Sequence, residues 1–203
     1  MKRIHEKTLH ERKIDLFPIF LGIGELILLF ILFYFFETST AIFIADLSIF
    51  LVFICKYYRK YGREFKALKD NPRRIFTILG VAASMIVFGL IFTKVFPQKS
   101  MANPKDYSRA LQLMLFLESV VFAPVLEEMI DRYSFGTLFR NKAVFVIVSA
   151  IVFAAFHANF DIYFLYYMVL GATLAITYLK SEKTITTTIL IHSLFNLVAF
   201  FLN

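Results

Sequence analysis

The chain has 203 residues, 59% of them hydrophobic, with 26 Phe, no Trp and a formal net charge of +7. Long apolar runs exclude an ordinary soluble domain, and a single cysteine, Cys55, excludes an intrachain disulfide or a thiolate metal cluster. The basic residues fall between apolar runs and form no continuous stripe, which argues against nucleic acid as a partner and for charges that orient a membrane protein.

In chain order, residues 1–15 read as a basic leader, 16–106 as three membrane spans with their connections, and 107–203 as a membrane core that carries the chemistry. The basic start and the small residues Thr38 to Ala41 mimic a signal peptide. The apolar stretch Leu16 to Phe36 is longer than the about 7 to 15 residues of a signal h-region, so it reads as an uncleaved first span. Pro18 falls in its first turn, where proline is tolerated, and Glu25 within it must face protein, water or a partner. A short linker, Glu37 to Thr40, leads to a second span, Ala41 to about Tyr58, containing Asp46. Lys56 to Arg74 reads as a basic loop with Asn71-Pro72 as breaker. Ile75 to Phe96 is the third span, and Pro97 to Ser108 a polar loop.

The fourth apolar run starts near Arg109, contains Glu118 and passes Pro124, which removes a backbone donor and can kink the helix. Ala143 to Phe160, Ile162 to Leu179 and Ile185 to Leu202 complete the set. The expected fold is all-α, a polytopic transmembrane helix bundle of about seven spans. Counting Lys and Arg on alternate sides gives eighteen against four, which places the N-terminus in the cytoplasm by the positive-inside rule.

Residues 127 to 132, Glu-Glu-Met-Ile-Asp-Arg, put four ionisable side chains into an otherwise oily stretch. Such groups are expensive near a bilayer unless they pair or line a polar cavity. Glu128 and Arg132, four apart, share a helix face and can pair, while Glu127 points about 100° away toward some other group. A solvated helix end at the membrane surface is the plainer alternative. Downstream, Phe153 lies four residues before His157, and His192 four before Asn196, so each pair shares a face. His157 at an outer interface, and His192 with Asn196 as glue between helices, are the plainer readings there.

Depth decides whether these groups can meet. With the cytoplasmic boundary near Arg140, Lys142 and Lys183, Glu128, His157 and His192 lie about 18, 22 and 14 Å deep at ~1.5 Å per residue. Convergence requires the fourth helix to continue past the carboxylates to about Phe139, and that continuation is the expectation. Two His, two Glu, an Arg and an Asn then make the parts of a hydrolytic site.

Glu127-Glu128-x-x-x-Arg132, Phe153-x-x-x-His157 and His192-x-x-x-Asn196, in that order on successive helices, resemble the three motifs of the CPBP family of CAAX proteases and bacteriocin-processing proteins, also called the Abi family. The match spans residues from about 110 to 203. Members often have an aromatic residue before the motif Arg and a Gly after it, where this chain has Asp131 and Tyr133. The resemblance implies an intramembrane endopeptidase: Glu127 or Glu128 acting with His157 on water, Arg132 orienting the second carboxylate, and His192 with Asn196 donating to the oxyanion. It also leaves open a metal version, with Zn²⁺ held by some of Glu127, Glu128, His157 and His192, although the sequence has no His-Glu-x-x-His helix. The implied partners are membrane lipid and a peptide or protein substrate near the membrane, and the Phe-rich, Lys-rich composition suits a bacterial plasma membrane. The same residues are also compatible with two other classes: an ion-coupled transporter using Glu25, Asp46, Glu118 and the Glu-Glu pair, and a non-catalytic bacteriocin-immunity or scaffold protein.

Overall fold

A computed structural model describes residues 14–97 and 107–202. The leader 1–13, the loop segment 98–106 and Asn203 lie outside the described residues, and with them Lys2, Arg3, Lys7, Arg12, Lys13, Lys99 and Lys105 of the charge tally. Among the described residues seven helical segments follow one another: α1 (Phe17–Leu32), α2 (Thr38–Lys69), α3 (Pro72–Val95), α4 (residues 109–138), α5 (Lys142–His157), α6 (Ile162–Lys180) and α7 (Ile185–Leu202). No strand occurs among the described residues, and the protein is an all-α membrane bundle. By length and composition α2, α3, α6 and α7 can each cross a bilayer. Helices α1 and α5 have 16 residues each, about 24 Å of helix against a hydrocarbon core of about 30 Å.

Two boundaries differ from the sequence expectation. The first span stops at Leu32, not Phe36, in a tightened turn where Tyr34 and Phe35 donate to the carbonyls three residues back. Phe33 to Phe36 are four consecutive exposed aromatics, and aromatic side chains lose rotamer freedom inside a helix. The second helix does not end at Tyr58. It runs through the expected basic loop to Lys69, because Lys, Arg and Glu are good helix formers and the buried stripe simply continues. That stripe is Ala41, Ala45, Ile49, Phe53, Tyr57 and Tyr61, each four residues on from the last, and Lys60 pairs with Glu64 at 2.7 Å. Only Asp70 and Asn71 separate it from Pro72, which opens α3 as the breaker predicts.

Small residues and polar contacts hold the helices together. At Gly171 of α6 a Cβ would lie 3.1 Å from the Ala150 Cα of α5, so that pair packs at backbone distance. At Gly136 of α4 a Cβ would meet the Tyr178 ring at 2.7 Å, so glycine there serves a close approach and the helix persists through it. Glu64 of α2 accepts from the Thr186 N–H in the first turn of α7 at 2.9 Å, a negative charge on a helix N-terminus.

Asp15 anchors α1. Its carboxylate accepts from Tyr57 Oη at 2.8 Å and Tyr133 Oη at 3.2 Å, and from the Phe17 N–H at 3.1 Å. Its backbone accepts from Ser134 Oγ and donates to Thr137 Oγ1. Read from sequence as the end of the leader, Asp15 is bonded into α2 and α4.

Candidate active site

Helix α4 changes its hydrogen-bond register twice on the way to the site, with π-helical turns at Glu118–Phe122 and Met129–Ser134. In the first, the Ala123 N–H reaches back to the Glu118 carbonyl. The same register aims the Ser119 carbonyl at position 124, where proline has no N–H. Asn196 Nδ2 on α7 fills that gap, donating to Ser119 O at 2.8 Å. Pro124 is thus accommodated by a π turn and a side chain from another helix, and the helix continues beyond the carboxylates to Leu138, as the depth argument requires.

A buried ionic core follows. Arg132 Nε lies 3.4 Å from Glu128 Oε2 and Arg132 Nη1 3.1 Å from Asp131 Oδ2, with Glu128 and Arg132 fully enclosed. Arg132 Nη2 donates to the Gly171 carbonyl at 3.3 Å, and the guanidinium lies 4.7 Å from the centre of the Phe153 ring. Ser149 Oγ donates to the Asp131 carbonyl at 2.9 Å and ties α5 to α4. One arginine therefore meets groups from three helices, although Glu128 Oε2 and Arg132 Nε are paired by charge without a hydrogen bond; such pairing is what makes enclosed charges tolerable. It also removes Arg132 from the tally of orienting charges, since it lies inside the bundle.

Glu128 also receives His192 Nδ1 at 3.2 Å. Because a carboxylate accepts, Nδ1 carries the proton and Nε2 is turned the other way, toward Glu127 Oε2 at 3.8 Å. His157 has the same arrangement: Nδ1 donates to the Phe153 carbonyl at 2.7 Å, and Nε2 lies 3.6 Å from Glu127 Oε2. Its ring stacks on Phe153 at 4.2 Å between centroids and faces Tyr167 at 4.8 Å. Glu127 Oε2 is enclosed yet has no hydrogen-bond partner. An acceptor held 3.6 and 3.8 Å from two imidazole nitrogens is placed to share a proton with a molecule that enters between them.

Two cavities meet at these groups. One, of about 480 Å³, is lined by His157, His192, Asn196, Ser119, Tyr166 and Tyr167. The other, of about 440 Å³, is lined by Glu127 and His157 together with Glu25, Asp46 and apolar residues of α1 and α5. The side chains of Glu25 and Asp46 are hydrogen-bonded to each other. All six residues singled out from the sequence thus lie around one centre. Glu128 pairs with Arg132 and Glu127 faces elsewhere, as the helical spacing predicts. Tyr167, Gly171 and Ser149 were missed. Tyr167 lies in an aromatic-rich span, and nothing in the pattern of the chain marks the other two.

Zn²⁺ is the metal that a carboxylate and two imidazoles would suit. As placed, Glu127 Oε2 lies 3.6 and 3.8 Å from the two Nε2 atoms, against roughly 3.3 Å between ligands of a tetrahedral zinc with bonds of about 2.0 Å. Among the described residues no group of three or more His, Cys, Asp and Glu side chains is arranged to hold a metal ion.

Residues 109–198 match the family model described as type II CAAX prenyl endopeptidase Rce1-like. The chain is also similar to the UPF0177 protein YxdF of Lactococcus lactis subsp. lactis (strain IL1403), 29% identical over 161 residues that cover 74% of this chain and 89% of that protein. No solved structure matches significantly. The matched segment contains every residue of the buried ionic core and of the histidine pair, so the part of the chain that carries the candidate site is similar to the CAAX endopeptidase family, and the apolar helices around it make the chain an integral membrane protein.

Proposed function

We propose that the protein hydrolyses a peptide bond of a membrane-associated protein or peptide, with Glu127 and His157 activating water. The observation that carries this reading is the convergence of Glu127 Oε2 on the Nε2 atoms of His157 and His192 at 3.6 and 3.8 Å. A water held there gives a proton to Glu127 or to His157 Nε2 as its oxygen bonds to the carbonyl carbon. The same proton then moves to the amine as the C–N bond breaks. Glu128 and Arg132 do not touch the reacting atoms. They hold His192 by its Nδ1–H, so that Nε2 keeps its aim. His192 in its doubly protonated form, and the second N–H of Asn196, supply donors for the oxyanion, each worth about 3 kcal/mol when well aimed.

No step in this scheme passes through a metal; metal dependence is read directly by the experiment. Lipid and a membrane-associated peptide are the partners in this reading. The basic end of α2, with Arg59, Arg63, Lys66 and Lys69 exposed, supports a cytoplasmic N-terminal side.

The test is cleavage of a quenched peptide library by protein in lipid, comparing wild type with Glu127→Gln, Glu128→Gln and His157→Ala, each with and without a zinc chelator. The expected result is cleavage lost in the variants and unaffected by chelation. Loss on chelation that added Zn²⁺ restores would replace the metal-free scheme with a metal site. Absence of cleavage by wild type would move the reading to a non-catalytic immunity or scaffold protein.

A further inference from the structure

The second cavity extends well beyond the two catalytic groups at its floor. Its sides are apolar: Ile19, Ile23 and Leu26 from α1, and Val152 and Phe156 from α5. At the rim Leu26 is 58% and Phe156 76% exposed. Both belong to apolar helices whose outer faces meet lipid in a bilayer, so the opening is lateral. Helix α1 forms this wall while burying only Pro18 of its own residues. It is held at its start by Asp15 and at its middle by the contact of Glu25 with Asp46. The cleft is continuous from the bilayer side to Glu127 and His157.

We propose that this cleft receives an apolar, membrane-inserted segment of the substrate, which arrives sideways from the bilayer and carries a Lys or Arg side chain near the bond to be cut. This deepens the protease reading and rests on it. The apolar walls match a segment already in lipid, which reaches the site without first crossing into water. Charge complementarity sets the second feature. The cleft presents Glu127 and the Glu25–Asp46 pair, which shares a proton and so keeps one negative charge, and, apart from His157, no basic side chain, while Asp131 in its wall is already met by Arg132. A cationic side chain complements that lining, and an acidic one is repelled by it.

The test uses the full chain in lipid vesicles and a quenched substrate with one apolar membrane-inserted segment, made with Lys, Gln or Glu beside the scissile bond. Leu26→Trp narrows the mouth, and Phe30→Trp, on the same helix at an 83% exposed position outside the cleft, is the control. We expect Leu26→Trp to slow cleavage about ten-fold or more, since a misplaced substrate loses rate steeply, with Phe30→Trp unchanged. Lys should be cut faster than Gln and Gln faster than Glu, and the order should flatten in the Glu25→Gln/Asp46→Asn double variant.

Equal rates for the two Trp variants, or equal rates for the three substrates, would overturn the proposal. A photoreactive leucine in place of Leu26 or of Phe30, in the Glu127→Gln background, decides the matter independently of turnover and of the folding of Leu26→Trp. Capture of the segment from position 26 alone supports the cleft, and equal capture from both positions overturns it. Capture from position 26 in a wild-type protein that cleaves nothing would remove the protease reading and leave the cleft assigned.

Discussion

Helices α1 and α7 are both short apolar segments of a membrane bundle, and they end up in opposite circumstances. Helix α1 buries one residue, Pro18, whereas α7 buries Ile185, Thr186, Thr187, Thr188, Ile191 and His192. Oiliness does not separate them. In a bilayer, apolar surface gains nothing by leaving lipid for protein, so association depends on small residues, close packing and polar contacts. Helix α7 is held by polar contacts along its length: His192 on Glu128, Asn196 on Ser119, and Glu64 at its N-terminus. Helix α1 has its anchor at Asp15, Phe17 packed on Tyr57 beneath Lys56, the close approach of Gly22 to Ile130, and Glu25 beside Asp46, and leaves most of its surface to lipid.

That contrast breaks most severely at Arg132. Arg132→Leu leaves Glu128 and Asp131 enclosed without their cation, and we expect about 3–5 kcal/mol of destabilisation, read as a lowered unfolding temperature in detergent. An unchanged temperature would show that the ionic core does not hold the bundle. Glu127→Gln should separate chemistry from packing. It should lose roughly 10²–10⁴-fold in cleavage with its unfolding temperature intact, since Glu127 Oε2 has no hydrogen bond to lose.

Asn196→Ala should cost about 1–3 kcal/mol, the penalty of an orphaned carbonyl at Ser119. The cost should shrink when Pro124→Ala is added, because residue 124 then has an N–H to offer that carbonyl; a double-mutant cycle with no coupling would refute this account of the π turn. The smallest effect belongs to α1. Phe30→Ala, on its lipid face, should change stability by no more than about 0.5 kcal/mol.

The parts of the site with helical spacing were legible in the sequence. Four-residue offsets placed Glu128 on Arg132 and Phe153 beside His157, and the depth estimate brought three separate helices to one level. What was not legible depended on partners far along the chain. Asn196 reads as a free amide from sequence, and only the Ser119 carbonyl, left over by Pro124, shows that one of its N–H groups is committed. Gly171 offers a carbonyl to Arg132, a role that no side-chain pattern can signal. Lys56 to Lys69 look like a loop by charge alone, although the four-residue stripe through Tyr57 and Tyr61 was there to be followed. Asp15 looked like part of a solvated leader because its partners, Tyr57, Tyr133, Ser134 and Thr137, lie on two other helices.

The bond from His157 Nδ1 to the Phe153 carbonyl, with Phe153 and Tyr167 both packed against the ring, leaves Nε2 as the nitrogen open to a reactant. It cannot rotate to collect a proton on one side and release it on the other. In a hydrolytic cycle Nε2 would be both inlet and outlet, so the attacking water and the departing amine must visit the same nitrogen in turn. For the proposed hydrolysis, the bond at Nδ1 would fix the edge of the imidazole from which a scissile bond is approached, before any substrate has been bound.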